Sequence, residues 1–431
     1  MWSDLSNVPP VVPLLVVEVI GKSKDSRDAY NRLKKLWPEL HAQSCFYWEN
    51  LQFNQSVVSK PTELSIYLDG GLNLFDPRVG CSDIGCRLKA ARNLSRSLAL
   101  IGDSVWLTDY LTEQFLEKYK RVTDDQLFRI LEDALVLGEL FPLIKSGVVK
   151  FRSPLKSFCK SCSMEFENEV EKMVKEMLME FSSEFDVERI RDDAYILHTG
   201  AAYNPSLVLG VYPSKNRVGG RRTPAVEEAK QEVVYTAIRS ALWVCEEASK
   251  GNGALFSNTT VGLAALVKRE QKLEKRPLLR AFDEKRSIQI PWVTELSASQ
   301  IVDLRSEASK ALPGLRELLA GHLSTNDSNN KSPSQLIDEL RFQAMETRNE
   351  LENVQKNSGR YWKAAYATVG LGISAYGLGT DGVFPALSGL LPILHLIIGH
   401  TTGNQKEVDK LERRAGYVLV KAQDLLSHTH S

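Results

Sequence analysis

The chain has 431 residues, 43% hydrophobic and 25% charged, an ordinary globular balance with room for two or three domains. Its 54 basic and 54 acidic residues cancel, which excludes a general polyanion binder and leaves no strong nucleic-acid signal. The opening MWSDLSNVPP has no basic n-region and the apolar run 11–20 contains Glu18, so neither a signal nor a transit peptide is expected; six irregularly spaced cysteines point to a reducing cytoplasm rather than a disulfide framework.

In chain order, the β-branched density of Pro10–Ile20 predicts a strand, and Asp25–Leu36 a short basic helix. Ser65–Asp69 reads as a strand running into the Gly70-Gly71 turn. Helical spacing of Leu88, Ala91, Leu94 and Leu98 predicts a helix over Cys86–Ile101, followed by a strand at Val105–Leu107 that ends near Asp109. Thr123 is the expected N-cap of a helix over Asp124–Leu140, with Pro142 just beyond it, and Gly147–Phe151 makes a third strand. This strand and helix alternation implies an α/β layer with a mixed or mostly parallel sheet and flanking helices. Phe166, Val170, Met173, Met177 and Phe181 mark a helix over Met164–Phe181, a pliable methionine-rich core face. Strands are expected at Ala194–His198, Leu207–Tyr212, Ala254–Ser257 and Ile288–Pro291. Between them, Thr223, Pro224 and Gly251 bracket a long helix, and a shorter one is expected near Thr260–Lys268. Ser297 and Gln300 have capping-box spacing, Leu296 and Ile301 are placed as its hydrophobic staple, and Pro313 should interrupt the helix that follows.

Residues 321–334, GHLSTNDSNNKSPS, read as a polar linker dividing an α/β body (1–320) from an all-α helical hairpin domain (335–431). In that domain Ile337, Leu340, Ala344, Thr347, Leu351 and Val354 form one helical seam, and Val408, Leu411, Ala415, Val418, Ala422 and Leu425 a second. The two seams are expected to pair antiparallel. They flank an apolar tip, residues 364–399, in which Asp381 is the sole formal charge and Gly379–Gly382 supplies a reversing turn. Each half of the tip spans roughly 23 Å as a helix, against about 30 Å of hydrocarbon, so burial against protein is favoured over membrane contact. The expected use of the hairpin is self-association, docking of a protein partner, or contact with a membrane by an otherwise cytoplasmic protein.

Four sets of residues carry candidate chemistry. Asp69, Asp103 and Asp109 lie at or near predicted strand ends, where clustered carboxylates hold Mg²⁺ or Mn²⁺ and activate water for phosphoester cleavage; the same residue type also caps helices and begins turns. His198, at a strand end, is the histidine best placed to join such a site. Cys81, Cys86, Cys159 and Cys162 could supply four thiolates to a structural zinc; the CxxC at 159–162 also fits a redox pair, and unlinked structural thiols are the third possibility. Lys215, Arg217, Arg221 and Arg222, around a Gly pair before the Pro224 helix, make either an anion-docking spot or a solvated basic loop.

Leu98–Asp109 (LALIGDSVWLTD), Pro142–Phe151 (PLIKSGVVKF) and Ile290-Pro-Trp, with the following helix at Leu304-Arg305, resemble stretches of uncharacterised bacterial proteins of unknown function, some of them near antiviral defence genes. The resemblance implies a bacterial cytosolic α/β body and no particular activity. Two functional readings follow: a non-catalytic recognition or sensor protein with an associating C-terminal hairpin, and a metal-dependent, nuclease-like phosphoester hydrolase using the strand-end carboxylates.

Overall fold

The computed structural model describes residues 7–51, 63–69, 84–96, 98–116, 122–155, 157–181, 185–191, 194–199, 208–213, 226–251, 253–257, 265, 293–323, 333–357 and 405–429. The apolar tip 364–399, the basic loop with Lys215, Arg217, Arg221 and Arg222, the expected helix at 260–268 apart from Ala265, and the expected strand at 288–291 lie outside them. Contacts divide the chain into two units, Met1–Asp283 and Glu284–Ser431.

The first unit begins with a correction. The run predicted as a strand is helical: α1 (Val11–Pro13) continues into a π-helix, Leu14–Ile20. Val11, Val12, Leu15, Val16 and Val19 are all buried, and the π-helix packs against α2 (Ser26–Asn50) and α6 (Asp124–Lys145). Burial among helices outweighs the local β preference of valine, which is a weak prior in either direction. The paired prolines at 9 and 10 were the available signal for a helix start, since Pro tolerates a first turn. Asp25 caps α2 through the Asp28 amide at 2.8 Å, and Thr123 and Gln126 form a complete capping box on α6.

Four strands, β1 (Ser65–Asp69), β2 (Ser104–Thr108), β3 (Val149–Arg152) and β7 (Ala254–Ser257), make one sheet in the order β3-β2-β1-β7 with every pair parallel. Among the described residues the α/β body is thus mostly helical around a small parallel sheet. Its central strands β1 and β2 are apolar on both sides, as a doubly covered sheet requires, while β3 carries Lys150 and Arg152 on one side. One face presents Tyr67 and Trp106, which share a core with α7 (Lys160–Phe181) and α8 (Val226–Lys250) through Phe166, Val170, Met173, Ile238 and Leu242. By strand alternation Ile66, Leu68, Val105 and Leu107 belong to the opposite face. There Gly102, just after α4 (Leu98–Ile101), lies directly against the Ile66 side chain. Helix α3 (Ile84–Arg96) is joined to α6 by a buried Arg87–Asp133 ion pair, and α5 (Leu111–Leu116) packs on α2. A second sheet is an antiparallel meander of β4 (Phe185–Arg191), β5 (Ala194–Thr199) and β6 (Val208–Pro213). Its first strand, FDVERIR, was not read from the sequence, because its charges mask the alternation.

In the second unit, Ser297 and Gln300 complete the capping box of α9 (Ala298–Glu307), with Leu296 and Ile301 both buried as its staple. Pro313 opens the next helix, α10 (Leu312–Leu323), rather than breaking one. The division between units at Asp283/Glu284 precedes the linker expected at 321–334, because α9 and α10 belong with the C-terminal helices. Gln300 bonds the Leu425 carbonyl, Lys421 pairs with Glu307 at 3.2 Å, and Lys310 pairs with Asp409 and Glu412.

The arms of the expected hairpin are α11 (Pro333–Asn357), α12 (Gln405–Leu411) and α13 (Gly416–Thr429). Both seams face inward: Leu340, Ala344, Thr347 and Leu351 are buried on one side, and Val408, Leu411, Ala415, Val418 and Ala422 on the other. The second seam is not one helix, however. It breaks at 412–415, and beyond the break α13 does not run antiparallel to α11. Gly416 packs on Gln343 and Ala344, whereas Val420 and Asp424 both reach Arg348, so positions advance together along the two helices. A Cβ at 416 would lie 2.6 Å from the Gln343 carbonyl oxygen; glycine is what permits this approach. Arg348–Asp424 at 2.7 Å and Arg414–Glu350 at 2.9 Å clasp the edges.

Candidate functional site

The register sets one of the three strand-end aspartates, Asp103, apart from Asp69. Asp69 ends β1 in register with Ser257 of β7. Asp103 precedes β2, whose Ser104 is in register with Ser65, so it sits at the opposite edge of the same parallel sheet. A five-residue strand separates the two edges by roughly 15 Å, too far to share one ion. Asp103 instead brackets the start of β1: its carboxylate accepts from the Leu64 amide and its own amide donates to the Leu64 carbonyl, both at 2.8 Å. Asp109 is buried at the other edge and caps α5, accepting from the Leu111 and Thr112 amides at 3.1 Å and from the Thr112 hydroxyl at 2.6 Å. Burial raises its carboxyl above the usual range, with these hydrogen bonds opposing the shift. His198 lies on β5, paired in register with Asp186 and Val208 of the separate antiparallel sheet. Among the described residues, no three His, Cys, Asp or Glu side chains are grouped to hold a metal ion.

A different constellation lies under α7 and α8. Tyr67 and Trp106, neighbours in register, stack with centroids 5.8 Å apart and planes 9° from parallel. Lys150 and Arg152, two residues apart on β3, place their cationic groups 5.4 and 5.6 Å from the Trp106 ring. Arg152 bonds Glu247 through Nε at 2.8 Å, and Lys250, one turn further along α8, reaches the same carboxylate at 3.4 Å. The close turn after α8 is shaped to this face: a Cβ at Gly253 would meet the Tyr67 ring at 2.7 Å and the Ser65 carbonyl oxygen at 2.9 Å. Lys250 also lies 4.7 Å from the centre of the Phe158 ring, which stacks on Phe166.

Beside Phe158 the chain enters α7 through Cys159. Its carbonyl accepts the Ser163 amide at 2.9 Å, the first helical bond, so Cys159 stands at the N-cap and Cys162 in the first turn. Both thiols are free and exposed. The Cys159 sulfur accepts hydrogen bonds from the Cys162 backbone N–H and from the Cys162 thiol, which holds Cys159 below the ordinary thiol range. The same arrangement pushes Cys162 up, and the charge of Lys250 acts in the other direction on it. The pair at 159–162 is therefore brought together. Cys81 is outside the described residues, and Cys86 lies on α3. The ion pair beside the dithiol had no sequence signal, because Arg152 and Glu247 are 95 positions apart. Comparisons with known protein families, with curated proteins and with solved structures find no match.

Proposed function

We propose that the chain is a non-catalytic recognition or sensor protein whose C-terminal unit associates with a second copy of itself through the apolar segment 364–399. The observation that carries this reading is the packing of the flanking arms. The helices that flank the segment in sequence are tied together by buried seams, by the close approach at Gly416 and by the Arg348–Asp424 pair. Leu340 and Val418, both fully buried, each contribute about 1.5–3 kcal/mol to that packing. A segment with packed helices on both sides in the sequence pays less ordering entropy on docking than a free tail. On α11 the outward residues Phe342 and Met345 are 67% and 49% exposed.

Association between protein surfaces is favoured over a spanning role by the short apolar halves, and among the described residues no helix is long and apolar enough to cross a membrane. The bacterial defence setting is supported by the resemblance of Leu98–Asp109 and Pro142–Phe151. The hydrolase reading loses support from the two occupied aspartates, Asp103 in its bracket and Asp109 in its cap.

Sedimentation velocity over a concentration series, with and without liposomes, tests the proposal. Concentration-dependent association in lipid-free buffer is expected. A chain that stays monomeric and floats with liposomes would transfer the segment to lipid, and one that stays monomeric and ignores liposomes would make it core.

A further inference from the structure

We propose that Cys159 and Cys162 form a thiol–disulfide exchange site, oxidised to an internal disulfide by low-molecular-weight disulfides of the glutathione type. The inference does not depend on the self-association reading and stands or falls on thiol chemistry alone.

Three features of the geometry carry it. The two cysteines stand three positions apart at the start of a 22-residue helix, Cys159 at its N-cap and Cys162 in its first turn. One helical turn separates their α-carbons by about 5–6 Å, within the roughly 4.4–6.8 Å that a disulfide spans, so closure requires no unwinding of α7. Cys159 stands at the N-cap, where the free amides of the first turn favour negative charge on its sulfur. Finally, both thiols are exposed, unlike Cys45 and Cys245, which are half-buried. The pair is also next to the cationic end of α8, where Lys250 faces Phe158. A zinc half-site would need two further ligands, whereas exchange needs only these two sulfurs.

The roles differ. Cys159, as thiolate, attacks one sulfur of the small disulfide; that S–S bond breaks, the first thiolate leaves and takes up a proton, and a mixed disulfide remains on Cys159. Cys162 gives its proton to water and attacks the Cys159 sulfur, displacing the second thiolate. The Cys159–Cys162 bond forms, two electrons have passed from the dithiol to the small disulfide, and the two protons lost by the cysteines appear on the two thiols released.

The test uses the full chain, glutathione disulfide and peptide mass spectrometry at the two positions, with Cys159→Ser, Cys162→Ser and wild type. Wild type should close the internal disulfide without accumulating glutathione adducts. C162S should accumulate a stable adduct on Cys159, and C159S should form one on Cys162 more slowly by about ten-fold, the thiolate-rich cysteine being the attacking one. Because both positions are exposed, the serine variants are expected to fold, and unchanged circular dichroism will verify it. Equal adduct rates on the two single variants would overturn the proposal, as would stable adducts on wild type. Stoichiometric zinc that is lost from both variants would overturn it too, by making the pair a metal site.

Discussion

Gly416→Ala adds one carbon at the tightest contact between the C-terminal helices. That carbon would meet the Ala344 amide nitrogen at 2.5 Å and the Gln343 carbonyl oxygen at 2.6 Å, and these neighbours are backbone atoms of a helix, which cannot rotate away. Ordinary contact distances start near 3.5 Å, so α11 and α13 must separate by about 1 Å. Such overpacking costs about 1–3 kcal/mol, against a gain from replacing helical glycine by alanine of at most ~1 kcal/mol. The net expectation is a loss of about 1–2 kcal/mol, which for a unit of this size lowers the midpoint by roughly 2–8 °C. Gly138, inside α6, is the internal control: nothing lies within 4 Å of its added carbon. Gly138→Ala should therefore gain up to ~1 kcal/mol from helix propensity alone. Urea and thermal unfolding followed by far-ultraviolet circular dichroism read both variants in the full chain. Gly416→Ala as stable as wild type, or more so, would refute the close packing of the arms.

Three further outcomes are expected. Asp109→Ala should cost about 1–3 kcal/mol by stranding the Leu111 and Thr112 amides, whereas Asp109→Asn, which can still accept from them, should be nearly neutral in urea titration; equal damage from the two would refute the capping role. Asp133→Ala should cost about 3–5 kcal/mol by removing the carboxylate against the buried Arg87 guanidinium, and the double change Arg87→Met/Asp133→Leu should recover most of that loss; no recovery would contradict a pair held mainly against its own desolvation. Burial pushes the Asp133 carboxyl up to about 7 despite the adjacent guanidinium. Its contribution is then fully present below the unfolded value near 4 and lost as pH rises through 7, so wild-type stability relative to the double variant should fall across that interval. A difference flat from pH 4 to 8 would contradict the raised value.

Where a signal is local and chemical, the sequence was legible. The capping boxes at Thr123 and Ser297 form as their spacing implied, down to the Leu296–Ile301 staple. All four strands of the parallel sheet were identified, because each is a short apolar run closed by turn residues. Most of each seam of α11, α12 and α13 is buried as read, with Ile337 and Leu425 half-buried at the outer ends. Tertiary choices were not legible. Val11–Ile20 has the composition of a strand, and only its neighbours α2 and α6 make it a helix. The break at 412–415 is hidden because the 3.6-residue pattern continues in phase across it, so periodicity reports which residues are inside but not where the helix stops. Strand order is equally invisible: β7, last in the chain, lies beside β1. That order and register place Asp103 on the far edge from Asp69, which spacing alone left open. The dithiol is the converse case, since the CxxC spacing was plain while its place at the N-cap of α7 awaited the fold.

The account rests on the C-terminal arms presenting segment 364–399 to a second copy of the chain. Its most direct test replaces 364–399 with a short Gly-Ser linker and compares sedimentation and thermal unfolding with the full chain. Loss of association with the midpoint of unit 284–431 preserved is the predicted result; undiminished association of the replaced chain would contradict the account.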